Sequence, residues 1–227
     1  MAGSNGRIGP PPWEVHDVSA AQPAGPTDAE PLERLVRGNA RFLGAIAGSP
    51  DPAGLTAALA QADPYAVVLG CADSRVPPET IFDEGTGRLF VVRVAANVAG
   101  PSEIGSIEYA IARWGCPLLV VLGHTQCGGV AAAMDRFPAG ADAPPSDPGA
   151  VNLGPLISSI TFNLGTVSQA APDPWLEAVT VNVRRTVEAL SLWSPIIRAR
   201  LKPGRLAVVG AIYHVETGGV EFLEPAG

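Results

Sequence analysis

Short apolar runs alternate with segments of helical periodicity along much of this 227-residue chain. The runs are rich in Val and Leu and end at Pro, Gly or charged residues, which is typical of strands buried on both faces of a parallel sheet. The predicted strands cover residues 65–70, 89–94, 118–122 and 206–214. A last run, 219–223, follows Glu216-Thr217-Gly218 and predicts a C-terminal hairpin.

Apolar residues at spacings of three and four predict the helices between these runs. The predicted helices cover residues 31–43, 55–62, 102–114, 128–137, 151–170, 174–192 and 195–201. Ser102, with Glu103 behind it, is the expected cap of one helix, and Ser194-Pro195 the expected start of another. The alternation indicates βαβ units, so we expect an α/β fold: a mostly parallel central sheet with flanking helices and a C-terminal hairpin.

Composition favours one sizeable core. Hydrophobic residues make up 47% of the chain and charged residues 16%, so we expect a single domain over residues 28–227, preceded by a flexible arm over residues 1–27 that is rich in Pro and Gly. The apolar runs are too short to span a membrane. Spare apolar surface is therefore expected to be buried between subunits.

The net charge and the cysteine content indicate which partners and which cellular compartment to expect. A net charge of −7 argues against nucleic acid as a partner. Three cysteines do not suggest a disulfide framework, and residues 1–12 contain no hydrophobic core of a signal peptide. We expect a cytoplasmic protein that does not act on a membrane.

Two polar clusters follow predicted strands. Cys71, Asp73 and Arg75 come directly after the first strand, and an extended backbone would direct all three side chains to one side. His124 and Cys127 follow the third strand. Because the carboxyl ends of parallel strands meet at one edge, where open α/β sheets build their sites, we expect the two clusters to close on each other.

Cys71, His124 and Cys127 form a donor set that suits a catalytic zinc ion with one open position. Such an ion generates hydroxide near neutral pH, although two thiolates temper its charge, so alkaline pH should favour activity. Asp73 would accept a hydrogen bond from the hydroxide, and Arg75 would keep Asp73 ionised. Two alternatives stay open: a structural zinc site closed by Asp73, and a redox thiol, which the lack of Cys-x-x-Cys disfavours.

Two sequence segments resemble the zinc motifs of the β-class carbonic anhydrases. They are Cys-Ala-Asp-Ser-Arg-Val at 71–76 and His-Thr-Gln-Cys-Gly-Gly at 124–129. Residues 37–42 and 105–110 are similar to further segments of that family, and the resemblance spans about residues 31–223. It implies zinc-dependent, reversible hydration of carbon dioxide to bicarbonate and a proton, on a sheet that dimerises or builds tetramers.

The resemblance also implies roles for individual residues. Cys71, His124 and Cys127 would hold zinc, with Asp73 and Arg75 as the catalytic dyad. The carbon dioxide pocket would be lined by Gln61, Phe90, Ala95, Tyr109 and the amide of Gly128. Tyr109 would reach in from the partner chain, and Gln61 lies ten residues before Cys71 where the family's glutamine lies nine before.

Val68 stands where some members carry a Trp that helps bicarbonate close the site, so we expect Asp73 to pair with Arg75 rather than with zinc. Two competing functions remain. One is a hydrolase of CS2 or COS on the same scaffold. The other is a non-catalytic zinc-binding interaction protein with Asp73 permanently on the metal.

Overall fold

The computed structural model describes residues 31–136, 151–167, 171–202 and 205–224. The chain divides into two compact units, Met1–Gln61 and Ala62–Gly227. The expected arm over residues 1–27 and the expected loop over residues 138–150 lie outside the described residues. Within the described ranges, no helix combines the length and the apolar character that crossing a membrane requires.

Two helices make up the described part of the first unit, α1 (Pro31–Ala47) and α2 (Pro52–Ala60). α2 begins earlier than predicted because Asp51 caps it: the Asp51 carboxylate accepts the amide of Gly54 at 2.9 Å, and Pro52 occupies the first helical position.

A five-stranded sheet in the order β2-β1-β3-β4-β5 forms the centre of the second unit. The strands are β1 (Ala66–Gly70), β2 (Leu89–Arg93), β3 (Leu118–His124), β4 (Ala207–Tyr213) and β5 (Val220–Phe222). The first four are parallel, and β5 pairs antiparallel with β4. The predicted fold class, including the C-terminal hairpin, is therefore confirmed.

Helices connect and cover these strands. They are α3 (Pro78–Ile81), α4 (Pro101–Trp114), α5 (Gly128–Arg136), α6 (Leu153–Asn163), α7 (Pro174–Trp193) and α8 (Pro195–Arg200). Ser194 caps α8 as predicted, accepting the amide of Ile197 at 3.1 Å. The predicted Ser102 cap of α4 is wrong: Gly100 precedes the helix, and its amide donates to the Glu103 carboxylate at 3.0 Å.

The sheet carries a large core on one face and a smaller one on the other. Val67 and Leu69 of β1 lie in the large cluster with side chains of α4, α5, α6 and α7, whereas Val68 lies in the small cluster beside Ile81 of α3. Gly123 permits the close approach of α7, because a Cβ there would lie 2.5 Å from Val183 Cγ2. Every residue of β1 is buried, which accounts for its uninterrupted apolar sequence.

Candidate metal centre

Three sulfur and nitrogen donors meet at the carboxyl edge of the sheet. Cys71 follows β1, His124 ends β3, and Cys127 precedes α5. β1 and β3 are parallel neighbours, with Gly70 opposite Leu122, so their ends coincide. The three side chains are buried, and their ligand atoms lie within 4.8 Å of one another. The structure thus brings together Cys71 and His124, which are 53 positions apart in the sequence.

The spacing of the donors fits a tetrahedral zinc ion. Zinc–sulfur bonds of about 2.3 Å at a tetrahedral angle place two sulfurs about 3.8 Å apart. The Sγ atoms of Cys71 and Cys127 are 4.0 Å apart. His124 Nδ1 lies 2.8 Å from the Thr125 carbonyl oxygen, which only accepts, so the hydrogen sits on Nδ1. Nε2 is then a bare, buried acceptor without a hydrogen-bond partner among the described residues, as a ligating imidazole requires.

The protonation of the two cysteines points to the same cation. The Cys127 S–H donating to Cys71 lowers the pKa of the Cys71 thiol, and the hydrogen bond from the Asp73 amide adds to this. The neighbouring Cys71 sulfur raises the pKa of Cys127 far above its ordinary value, and burial adds to this. The shifts are opposite because two thiolates at this distance repel each other, so one proton remains between them. A divalent cation is what would let both sulfurs ionise.

Asp73 and Arg75 meet through a tight turn. The Val76 amide donates to the Asp73 carbonyl at 3.2 Å, and the Arg75 amide donates to Asp73 Oδ1 at 2.9 Å. The expected extended backbone through Cys71, Asp73 and Arg75 is therefore wrong. The physical reason is that the short Asp side chain satisfies a nearby backbone amide and so favours a turn.

The Asp73–Arg75 pair is a two-pronged salt bridge. Arg75 Nε donates to Oδ1 at 3.0 Å and Nη2 to Oδ2 at 2.7 Å, which is the fork geometry that arginine offers a carboxylate. These hydrogen bonds lower the pKa of Asp73 to about 2, the side-chain contacts of Arg75 contributing most. Asp73 is therefore an anion over the whole neutral range.

A strained turn after β2 supports Cys71. The Ala96 amide donates to Cys71 Sγ at 3.3 Å, and the Asp73 amide adds a second contact at 3.4 Å. Ala96 and Asn97 have φ of 56° and 47°, a region that side chains rarely adopt. Asn182 of α7 holds the turn by donating to the Ala96 carbonyl at 2.8 Å. The sequence analysis missed these residues; the single local signal is the Asn that follows an apolar strand.

Arg93 is a second supporting residue that the sequence analysis missed. Its Nε donates to the Cys71 carbonyl at 2.8 Å, and its guanidinium also donates to the Asp73 carbonyl. Arg93 thereby fixes the backbone of both Cys71 and Asp73. A charged residue that ends an otherwise apolar strand was the available signal.

The expected pocket residues are distributed as follows. The rings of Phe90 and Tyr109 lie 6.3 Å apart, both against Trp114. Ala95 opens the turn that contacts Cys71, and Gly128 opens α5 directly after Cys127. Gln61 belongs to the first unit, at the end of α2. The roles of these residues in substrate binding stay predictions.

Comparison with known proteins places this site in a family. The sequence model of the family described as "Carbonic anhydrase" matches residues 66–220. The chain is 38% identical over 196 residues to a carbonic anhydrase of Mycolicibacterium smegmatis, covering 83% of this chain and 89% of the relative. It is 37% identical over 202 residues to carbonic anhydrase 2 of Mycobacterium tuberculosis, covering 81% and 87%.

Solved structures agree. A β-carbonic anhydrase of Aspergillus fumigatus superimposes with a TM-score of 0.70 at 25% identity, covering 87% of this chain and 93% of that one. One of two tetrameric β-carbonic anhydrases of Sordaria macrospora superimposes with a TM-score of 0.68 at 25% identity, covering 85% of this chain and 96% of that one. With the family match extending over more than half of its length, the chain belongs to the β-class carbonic anhydrases.

Proposed function

We propose that this chain binds one Zn²⁺ through Cys71, His124 and Cys127 and catalyses the reversible hydration of carbon dioxide to bicarbonate and a proton. One observation supports this proposal more strongly than any other. A buried Cys–His–Cys donor set, whose imidazole Nε2 has no hydrogen-bond partner among the described residues, includes Cys71 on the same loop as Asp73, a carboxylate that Arg75 holds by two hydrogen bonds.

Each part of the site has a separate task. Zinc bound there supplies the acidification that makes water a nucleophile near neutral pH. Asp73 accepts a hydrogen bond from the attacking water, which aligns the oxygen lone pair with the electrophile. Arg75 keeps that carboxylate oriented and charged. Because the pKa of Asp73 is about 2, Asp73 does not retain the released proton, which passes to solvent or buffer.

The Asp73–Arg75 pair also bears on the competing functions. Both Asp73 oxygens are engaged by Arg75, which supports an enzyme over an interaction protein in which Asp73 stays on the metal. A hydrolase of CS2 or COS would share the same donors and dyad. The relatives are named as carbonic anhydrases, and this favours carbon dioxide as the substrate.

We also propose that the active form is a homodimer or homotetramer. Large aromatic side chains of the second unit remain exposed: 57% of Tyr109, 79% of Phe162 and 60% of Trp193 are accessible. Exposed apolar surface of this kind is usually covered by another chain. Sedimentation velocity at assay concentration should give at least a dimer, and a fully active monomer would contradict this proposal.

A stopped-flow hydration assay on metal-quantified protein tests the proposed reaction. We expect carbon dioxide turnover in proportion to bound zinc, and none after chelation until zinc is restored. CS2 and COS are offered to the same preparation. Release of sulfide from either substrate without hydration of carbon dioxide would replace the proposed function with the hydrolase.

A further inference from the structure

A single carboxylate ties the loop that carries two of the metal donors to the C-terminal hairpin. Glu216 lies in the turn between β4 and β5. The Thr125 hydroxyl donates to Glu216 Oε2 at 2.8 Å, and Gln126 Nε2 donates to Glu216 Oε1 at 2.6 Å. The Val215 amide in turn donates to Thr125 Oγ1 at 3.1 Å. Both oxygens of Glu216 are therefore used on residues that lie between the ligands His124 and Cys127.

The other side of Gln126 contacts the dyad. Gln126 Oε1 accepts from Arg75 Nη1 at 3.3 Å, and the Gln126 carbonyl accepts from Arg75 Nη2 at 3.1 Å. Gln126 adopts a φ of 57°, which is uncommon for a residue with a side chain. A continuous hydrogen-bonded path thus runs from Glu216 through Gln126 to Arg75 and on to Asp73.

The donor and acceptor groups along this path fix the direction of each hydrogen bond. A glutamine amide has one end that donates and one that accepts, a carboxylate only accepts, and a guanidinium only donates. With Glu216 on its donor end, Gln126 must present its oxygen to Arg75. The flipped amide would set its NH2 against the guanidinium and its oxygen against the carboxylate. Glu216 therefore selects the orientation in which Gln126 accepts from Arg75.

We propose that Glu216 is a positioning residue for the hydration reaction: through Gln126 it holds the Arg75 fork where it meets Asp73. This inference rests on the proposed function. Nearly half of the Arg75 side chain is exposed, so without the path Arg75 would gain rotamer freedom. Asp73 would then be misaligned for part of the time. Substrate contacts and metal donors would stay intact, so the loss falls on kcat.

A comparison of zinc content, KM and kcat between Glu216→Ala and Glu216→Gln tests this proposal. The Ala variant should keep its zinc and its KM but lose about three- to tenfold in kcat, the range expected for one hydrogen bond. The Gln variant should stay within about twofold of the parent protein, because its Oε1 still accepts from Gln126 while its NH2 faces Thr125 Oγ1. An equal loss in both variants would assign the effect to charge and overturn the proposal.

Glu221→Ala is the matched control, since this carboxylate of the same hairpin lies 3.5 Å from His214 and is not in the path. It should leave kcat unchanged. In an Arg75→Ala background, Glu216→Ala should cause no further loss, because its effect passes through Arg75. The same fold-loss in both backgrounds would show a general structural role and contradict the proposal.

A readout apart from activity separates this inference from the proposed function. In isotope-labelled protein, the NMR signal of the Arg75 Nε–H should broaden or shift in Glu216→Ala and stay in place in Glu216→Gln and Glu221→Ala. If the parent protein fails to hydrate carbon dioxide, the proposed function falls while this signal still decides the positioning path. An Arg75 signal that is unchanged in Glu216→Ala would overturn the path itself.

Discussion

The proposed metal donors and the proposed dyad lie at the same edge of the sheet, yet the chain places them by different means. Cys71 is 5% exposed and is set by the register of β1 against β3. Two residues on, Asp73 is held by a local turn and by Arg75, whose side chain is 47% exposed. Burial suits donors that must exclude competing water, and access suits groups that must meet water and substrate. Metal retention and orientation of the reacting groups should therefore be separable by mutation.

The largest expected effect is that of Cys127→Ala, which removes a donor from the buried set. Two remaining protein ligands should hold zinc too weakly for a catalytic site, so metal content should fall from about one ion per chain to near zero, and activity with it. Metal analysis after dialysis, with a stopped-flow assay, measures both.

Cys116→Ala is the control for that variant. Cys116 is also a buried thiol, but it donates to the Pro64 carbonyl at 3.1 Å and lies outside the donor cluster. It should keep its zinc and its turnover. Full zinc content in Cys127→Ala, or equal metal loss in both variants, would break the distinction between the donor set and the rest of the core.

Asp73→Asn should keep its zinc, unlike Cys127→Ala, and should lose about 100-fold in kcat. The amide can donate as well as accept, so it no longer fixes the orientation of the attacking water, and it loses the charge that pairs with Arg75. Parallel metal analysis and kinetics separate the two quantities. Loss of zinc in this variant would mean that Asp73 belongs to the metal ligands.

Arg75→Ala should have a smaller kinetic effect, about tenfold in kcat, because the carboxylate remains but is no longer held. It should also raise the pKa of Asp73 from about 2 toward its ordinary value. A carboxylate with a depressed pKa stabilises the folded state above its unfolded pKa, and this stabilisation is lost as pH falls through about 2. The stability difference between parent and variant should therefore shrink on acidification.

Carboxyl NMR titration measures the pKa of Asp73 directly. Arg75→Lys is the matched control, because lysine keeps the charge without the two-pronged geometry, and its shift should lie between those of the parent and the Ala variant. An unshifted pKa in Arg75→Ala would show that Arg75 does not control this carboxylate.

The sequence predicts that Cys71, His124 and Cys127 lie together better than it predicts their surroundings, for a physical reason. Uninterrupted apolar runs predict β1 and β3 as neighbouring parallel strands, and this alone brings Cys71 to His124. Side-chain hydrogen bonds to the backbone leave no periodic pattern, so the turn at Asp73 and the positive φ of Ala96 were not foreseen.

Contacts between exposed polar residues are harder still to predict. Gln126 and Glu216 lie 90 positions apart, and neither belongs to an apolar pattern that would place it. The short helix α3 was missed for a different reason: two successive prolines suggest an extended segment, yet a proline is also well tolerated in the first turn of a helix.

A crystal structure of the zinc-loaded protein near pH 8, without added bicarbonate, tests most directly whether the dyad stays apart from the metal donors. We expect zinc on Cys71, His124 and Cys127, with Asp73 still paired to Arg75 and the fourth position left to water or an anion. An Asp73 oxygen at about 2.0–2.2 Å from zinc, with the Arg75 pair broken, would contradict the account.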